Sequence, residues 1–574
     1  MEKREKGDTL MRSILTPISL WRDFRTEESL EPETVGEREA DGLRYRQTYF
    51  LAQRTGKGRV RAFGTEVSPA GAKGGLPAML LLCEAGSEPD LRLAERIARR
   101  GYLVFCLDYR GKTEGDGPCT EYPEDAGFAN FLRAGRLLLH ADDGARRTPW
   151  YEWTAAAAYA VKYLRSLPGV TEVGAMGIRE GGDILWKLMA VTDLACGICV
   201  NAAGWLAYRG VTKFGQDTIV GMGEESRMFI AGLDSQSYAP YVRCPVLMLV
   251  ATTDAYVDAD RAYDTYVRIN PKQFSTICFC NGCGGAVGPD AMRDADMFMD
   301  KYVKKRQVFL TRPLEITLED GADGGLWASV QSDRVGEAVV SAVYYAEDGA
   351  DVRHREWMKS TEGESLPDSV TRFPLSLYGG TDTVYAFARA MYSSGFCASS
   401  RITCKKLTKR YANSVGHSRL LYDSGMDGEF FVPADISAAV IGGCMQTGET
   451  ELPRRTEGYG KIAGMSCPHG LRTYRVSQRR YAPEERSLLH VSLYSPEDSL
   501  VTVAVTHKNA AGQRDRYTAK VFVAGGGKWK NFVLAPKSFK DGDGTALKTF
   551  YGIRTLEFTD GASNAFVVNN ILWV

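Results

Sequence analysis

The sequence predicts a parallel α/β sheet followed by two antiparallel β-sandwiches. Three observations lead there: apolar runs alternate with helical periodicity through the first half, the pattern turns to alternating strands with Asp-Gly and Gly-Gly turns after Lys304-Lys305-Arg306, and 574 residues exceed one core. The expected units are residues 1–305, with an N-terminal extension over about 1–40, a small immunoglobulin-like sandwich at 306–406, and a jelly roll at 407–574.

Leu76 to Leu82 is nearly all apolar, Leu91 to Arg100 is helically periodic and Tyr102 to Leu107 is apolar again, which reads as strand, helix, parallel strand. The helix Tyr151 to Leu167 follows, stopped by Pro168. Then come a strand ending near Ile178, a helix from Gly182 to Thr192, and the strand Ala195 to Asn201. Pro245 to Ala251, a helix from Asp258 to Ile269, Ser275 to Cys280 and a helix from Asp290 to Lys304 complete the unit. Strands this apolar are buried on both faces. In the second unit Ala338 to Tyr345, Val384 to Met391 and Ser399 to Cys404 alternate as strands, and Trp357, Tyr385, Phe387 and Tyr392 are expected in its core. The third carries strands at Leu488 to Tyr494, Leu500 to His507, Tyr517 to Val523, Trp529 to Leu534, Ile553 to Phe558 and Ala565 to Trp573.

The segment Val173-Gly174-Ala175-Met176-Gly177-Ile178-Arg179-Glu180-Gly181-Gly182 has the outline of a nucleophile elbow, with Arg179 where a serine would stand. A guanidinium stays protonated and has no lone pair with which to attack a carbonyl. The six histidines are His140, His354, His417, His469, His490 and His507, so the first unit holds only His140, upstream of the elbow. A serine nucleophile and a following histidine base are both missing.

Leu107-Asp108-Tyr109-Arg110-Gly111, the elbow, Cys244-Pro245-Val246-Leu247-Met248-Leu249 with Asp254, and Asn281-Gly282-Cys283-Gly284 together resemble the ordered landmarks of the α/β-hydrolase family, most like its dienelactone hydrolase and acetyl xylan esterase branch. The resemblance implies vestigial triad positions at Arg179, Asp254 and Gly284, of which only the acid is kept. It also implies oxyanion-hole amides at Glu180 and in the turn near Glu84 and Ala85. The stretch from Lys528 to Trp573 resembles the end of jelly-roll carbohydrate-binding modules.

Two fates are open for the elbow. Arg179, with Glu84, Asp254 and the backbone of Glu180 and Gly181, forms a pocket for a carboxylate such as a uronic acid, or Arg179 fills the old pocket by pairing with Asp254 or Glu180. In the last unit Tyr474 and Tyr481 lie in a polar stretch and are expected to be exposed as sugar platforms, with Trp529 a further candidate though more in keeping with core. Cys278-x-Cys280-x-x-Cys283 and Cys196-x-x-Cys199 have metal-like spacing, but residues three apart on a strand point to opposite faces, and no metal or other cofactor is expected. Asp541-Gly542-Asp543-Gly544 makes turns that need no calcium.

Lys plus Arg and Asp plus Glu both number 71, which argues against nucleic acid or an anionic membrane as partner. The charged start Met1 to Lys6 leads into no apolar signal segment, and thirteen cysteines scattered through strands suit reduced thiols, so a cytoplasmic setting is expected. Three functions follow: a pseudoenzyme that binds carbohydrate, an esterase acting on acylated carbohydrates through a non-standard constellation, or a scaffold.

Overall fold

The computed structural model describes residues 14–574 apart from 73–74, 87, 114–116, 204–212, 215–222, 255, 282–284, 333–337, 350–351, 353–354, 368–369, 438–439, 442, 447 and 509–513. Nine strands build the first sheet: β1 (Glu33–Ala40), β2 (Leu43–Arg54), β3 (Arg59–Pro69), β4 (Ala78–Leu82), β5 (Leu103–Asp108), β6 (Val173–Ile178), β7 (Gly197–Val200), β8 (Val246–Ala251) and β9 (Ser275–Cys280). Their spatial order is β1-β2-β3-β5-β4-β6-β7-β8-β9. The first three form an antiparallel meander, β3 pairs antiparallel with β5, and every later pair is parallel. This is the α/β-hydrolase type of sheet that the landmarks imply. The strand β6, which leads into the elbow, lies inside it between β4 and β7.

Helices cover both faces. Leu91–Arg99 starts where the Asp90 side chain accepts from the Arg92 amide, and Pro149–Ser166 starts on a proline whose missing N–H costs nothing in a first turn. Ala155 to Ala158 and Ala160 are all buried, so small side chains bring the long helix close to the sheet. One face gathers Phe50, Trp150, Trp153 and Trp186, and the other Met79, Ile97 and Phe298.

The edge strand β1 falls in the stretch read as an extension. Its sequence offers no apolar face, because all eight residues are exposed or half-buried. Backbone pairing to β2 holds it, helped by Arg44 on Glu39 at 3.0 Å and by the Arg38 guanidinium 3.7 Å over the Tyr45 ring.

Several antiparallel sheets follow. Glu315–Asp320, Leu326–Gln331, Val370–Pro374 and Glu364–Ser365 form one, and Met358–Ser360, Ala338–Glu347, Thr383–Tyr392, Cys397–Ser399 and Thr403–Lys406 form another. Ser399 to Cys404, expected as one strand, is broken: Ser400 turns, and its hydroxyl accepts from the Ala388 amide at 2.8 Å. Toward the end a six-stranded sheet containing Leu489–Tyr494 and Val567–Trp573 faces a five-stranded sheet containing Ser499–Lys508 and Ile553–Thr559, over a core with Phe539, Phe550, Phe566 and Trp573. A separate hairpin, Val440–Ile441 with Met445–Gln446, leaves these sheets and packs on the first unit, where the Val287 amide donates to the Cys444 carbonyl at 2.8 Å.

Ion pairs cross the junctions. Arg355 grips Asp260 at 2.6 and 2.7 Å with both side chains fully buried, and Arg475 reaches Glu356 at 3.1 Å. Phe387 lies 5.6 Å from Phe279 of β9, so Trp357, Tyr385 and Phe387 are core, but core shared with the α/β unit. Among the described residues no helix is long and apolar enough to cross a membrane.

Glu152, in the first turn of the long helix, is buried, and among the described residues only the Gln53 amide holds its carboxylate, at 2.7 Å. Burial pushes its carboxyl from an ordinary 4.5 up to about 7, against that hydrogen bond. Its contribution to stability is therefore complete below pH 4.5 and is lost as pH rises through 7. Glu152→Gln is expected to match the wild type in acid and to exceed it at pH 8 by on the order of 2 kcal/mol in urea unfolding. A difference that does not change with pH would show that folding leaves the Glu152 carboxyl at its ordinary value.

Candidate functional site

The elbow has kept its shape. Arg179 follows β6 with φ 49° and ψ −114°, a left-handed conformation costly for a side chain this large, and the helix Glu180–Val191 begins at the next residue. Close packing of the backbone enforces glycine around it. A Cβ at Gly181 would lie 2.1 Å from the Leu82 carbonyl oxygen, and one at Gly177 would lie 2.4 Å from the Gly181 oxygen.

What the elbow presents is a cation held by two acids. Arg179 Nη1 donates to Glu84 Oε2 at 2.8 Å and Nη2 to Asp254 Oδ2 at 3.0 Å. Asp254 is fully buried, and it also accepts from the amides of Tyr256 and Val257 at 2.5 and 2.9 Å and from Asn201 Nδ2 at 3.3 Å. The expected pairing with Asp254 thus forms, and Glu84, not Glu180, completes it. Gly284 and Cys283 lie outside the described residues. At the neighbouring Gly285, with φ +90°, a Cβ would sit 2.0 Å from Asp254 Oδ2 and 2.6 Å from Arg179 Nη2. Any side chain at Gly285 would therefore meet the Arg179–Asp254 pair.

The amide expected at an oxyanion hole has a partner within the chain. The Ala85 amide donates to Glu180 Oε2 at 3.2 Å, so the carboxylate that follows the elbow reaches the turn after β4. A uronate pocket at Arg179, Glu180 and Gly181 is accordingly not what forms: both guanidinium Nη atoms are engaged, and Glu84 and Glu180 already bring negative charge.

The hairpin packs against the site. A Cβ at Gly443 would stand 2.5 Å from Glu84 Oε1, and Cys444 Sγ lies 3.3 Å from Asn201 Nδ2. Burial pushes the Cys444 thiol up to about 12 despite Arg179 beside it, so it offers no thiolate as a replacement nucleophile. Sequence reasoning missed this element. Its signal was Val440-Ile441-Gly442-Gly443-Cys444-Met445, two apolar pairs around a Gly-Gly turn. His140 pairs with Ser226 Oγ at 3.3 Å and Asp108 with Arg110 at 3.1 Å, so neither partners the elbow.

The aromatic candidates fare differently. Tyr481 is buried, with the Arg475 and Arg480 guanidiniums 4.7 and 5.1 Å from its ring, which overturns the expectation of an open platform. The polar residues that made its stretch look solvated are the arginines covering it. Tyr474 is half-buried. Trp529 is half-buried at a sheet edge, 5.6 Å from Tyr494, and donates to the Tyr459 carbonyl at 3.0 Å. Cys196 and Cys199 do face opposite sides of the sheet, in separate cores. All twelve described cysteines are free, and no group of three metal-type ligands occurs among the described residues.

A larger cleft of about 640 Å³ opens where the α/β unit, the middle sheets and the last unit meet. Asp290, Tyr344, Arg389, Glu429, Arg454 and Arg455 line it with apolar neighbours, and a 170 Å³ recess continues it to Lys359. Arg389 donates to Asp290 at 2.7 Å and Lys359 to Glu429 at 2.5 Å. Burial would raise Asp290, but Arg389 and Arg293 hold its carboxyl below the usual range. These residues come from distant stretches, so no sequence motif announces them.

No protein-family model matches the chain, and no curated protein matches it. Solved structures similar to it include acetyl xylan esterase 1 from Thermoanaerobacterium sp. JW/SL YS485, 17% identical over 47% of this chain and 88% of its own, with a TM-score of 0.37. An acetyl xylan esterase from Paenibacillus sp. R4 is 13% identical over 50% of this chain and 92% of its own, at 0.36. A Klebsiella pneumoniae protein assigned as a dienelactone hydrolase is 14% identical over 46% and 99%, at 0.32.

Removing the guanidinium leaves Asp254 buried without a counter-charge. Arg179→Met is expected to lower unfolding free energy by about 3 kcal/mol in urea, and Arg179→Met with Asp254→Asn to regain most of it. Equal loss in both variants would show that the charge pair is not what holds the site.

Proposed function

We propose that this chain is a catalytically silent α/β-hydrolase-type protein whose role is binding, with the junction cleft as the site and a carbohydrate or small uronate-like molecule as the ligand. The observation that carries this reading is the Arg179 guanidinium fixed between Glu84 and Asp254. Acyl transfer at an elbow needs a nucleophile, a base that receives its proton, and amides free to stabilise the oxyanion. Here the nucleophile position carries a cation, that cation is paired with Asp254, and the Ala85 amide has a partner within the chain.

The cleft supports binding for the opposite reason. Two of its charge pairs, Arg389 with Asp290 and Lys359 with Glu429, lie beside Tyr344, Phe431 and Met465, which together offer hydroxyl-directed donors and acceptors next to surfaces for C–H groups. Arg454 and Arg455 are exposed at its rim, placed to receive a carboxylate.

Acetylated xylo-oligosaccharides and aryl acetates are expected to be hydrolysed no faster than in buffer by the wild type, Arg179→Ala or Arg179→Ser. The serine alone gains no base and no free hole. Calorimetric titration with neutral and uronate-bearing oligosaccharides is expected to show binding that Arg455→Ala weakens by about tenfold for the acidic ligand. Wild-type turnover lost in Arg179→Ala would overturn the silent reading, and saccharide binding indifferent to Arg455 would move the ligand elsewhere.

A further inference from the structure

The elbow helix Glu180–Val191 ends, about 18 Å from Arg179 at 1.5 Å per residue, at a second concavity. This groove of about 560 Å³ lies between the N-terminal helix Pro17–Trp21 with the residues after it, the helix end at Ala190 to Asp193, and the segment around Tyr241. Arg22, Arg25, Arg165 and Arg243 line it, against one carboxylate, Asp193. The chain as a whole has zero formal charge, so this surplus is local.

The arginines are poorly matched to partners of their own. Arg243 lies 3.8 Å from Asp193, whose side chain is 80% exposed and screened by water. Arg165 donates to the Asp193 carbonyl, and Arg25 to the carbonyls of Arg22 and Phe24 at 2.9 and 2.7 Å. Arg22 has no ion-pair partner among the described residues. The carbonyl end of the helix would by itself disfavour an anion, but Arg165 covers it.

The groove also has a rigid aromatic floor. Trp21 stacks on Tyr151 at 4.7 Å and donates to the Tyr238 hydroxyl at 2.8 Å, while Tyr241 at the rim is 40% exposed. Converging guanidiniums suit an anion with several oxygens, and an open aromatic suits a flat ring. We propose that this groove binds a phosphorylated small molecule with a planar ring, of the nucleoside phosphate class.

The test is calorimetric titration of the full-length protein with AMP, adenosine and inorganic phosphate, using the wild type, the double variant Arg22→Gln with Arg243→Gln, and Arg455→Gln in the other cleft. AMP is expected to bind at least about tenfold more tightly than adenosine or phosphate alone, and to weaken with added salt. The double variant should lose about tenfold in AMP affinity with an unchanged melting temperature, and Arg455→Gln should lose none. Absence of AMP binding to the wild type, or equal binding by the double variant, would overturn the proposal. Phosphate binding as tightly as AMP would remove the ring from it.

Discussion

A half-buried guanidinium held between two carboxylates governs the elbow. Arg179 joins Glu84, at the end of one central strand, to Asp254, in the turn after another, and hairpin residues Gly443 and Cys444 pack over the group. Buried ions are stable only when each is paired and hydrogen-bonded, and Asp254 meets that demand with the guanidinium, two amides and Asn201. The same guanidinium that satisfies Asp254 stands at the apex of the elbow, so the charge balance of this site and the identity of its apex residue are one feature.

Similar ion pairs tie the units together. Arg355 with Asp260, Arg475 with Glu356 and Arg389 with Asp290 each link a residue of the middle sheets to a different unit. Such pairs add little net stability over apolar packing, but they penalise wrong docking heavily, because a misplaced partner leaves a charge buried alone. The cleft between the three units is therefore framed by residues whose positions are fixed by pairing.

The parallel strands were legible because burial on both faces makes them continuous apolar runs, as in Ala78–Leu82 and Val246–Ala251. Arg179 was legible because the glycines around it demand an elbow whatever residue sits at its apex. The edge strand Glu33–Ala40 was not, since it buries no face and depends on backbone pairing. Nor was the short hairpin at Val440 to Gln446, which is too brief to show periodicity and gains its burial from a unit far away in sequence. Tyr481 misled for a related reason: arginines that signal solvent in a sequence here cover its ring.

The hairpin also sets an order of events. The last helix of the α/β unit ends at Tyr302, roughly 140 residues before Cys444. At about 5–20 residues per second of synthesis, the elbow stands uncovered for on the order of ten seconds on a growing chain. During that interval Glu84 and Asn201 lack the neighbours that Gly443 and Cys444 later bring. The growing chain thus shows the elbow before its hairpin arrives, so a companion meeting it then sees more of this surface than the finished molecule displays, where Arg179 keeps 23% of its side chain exposed.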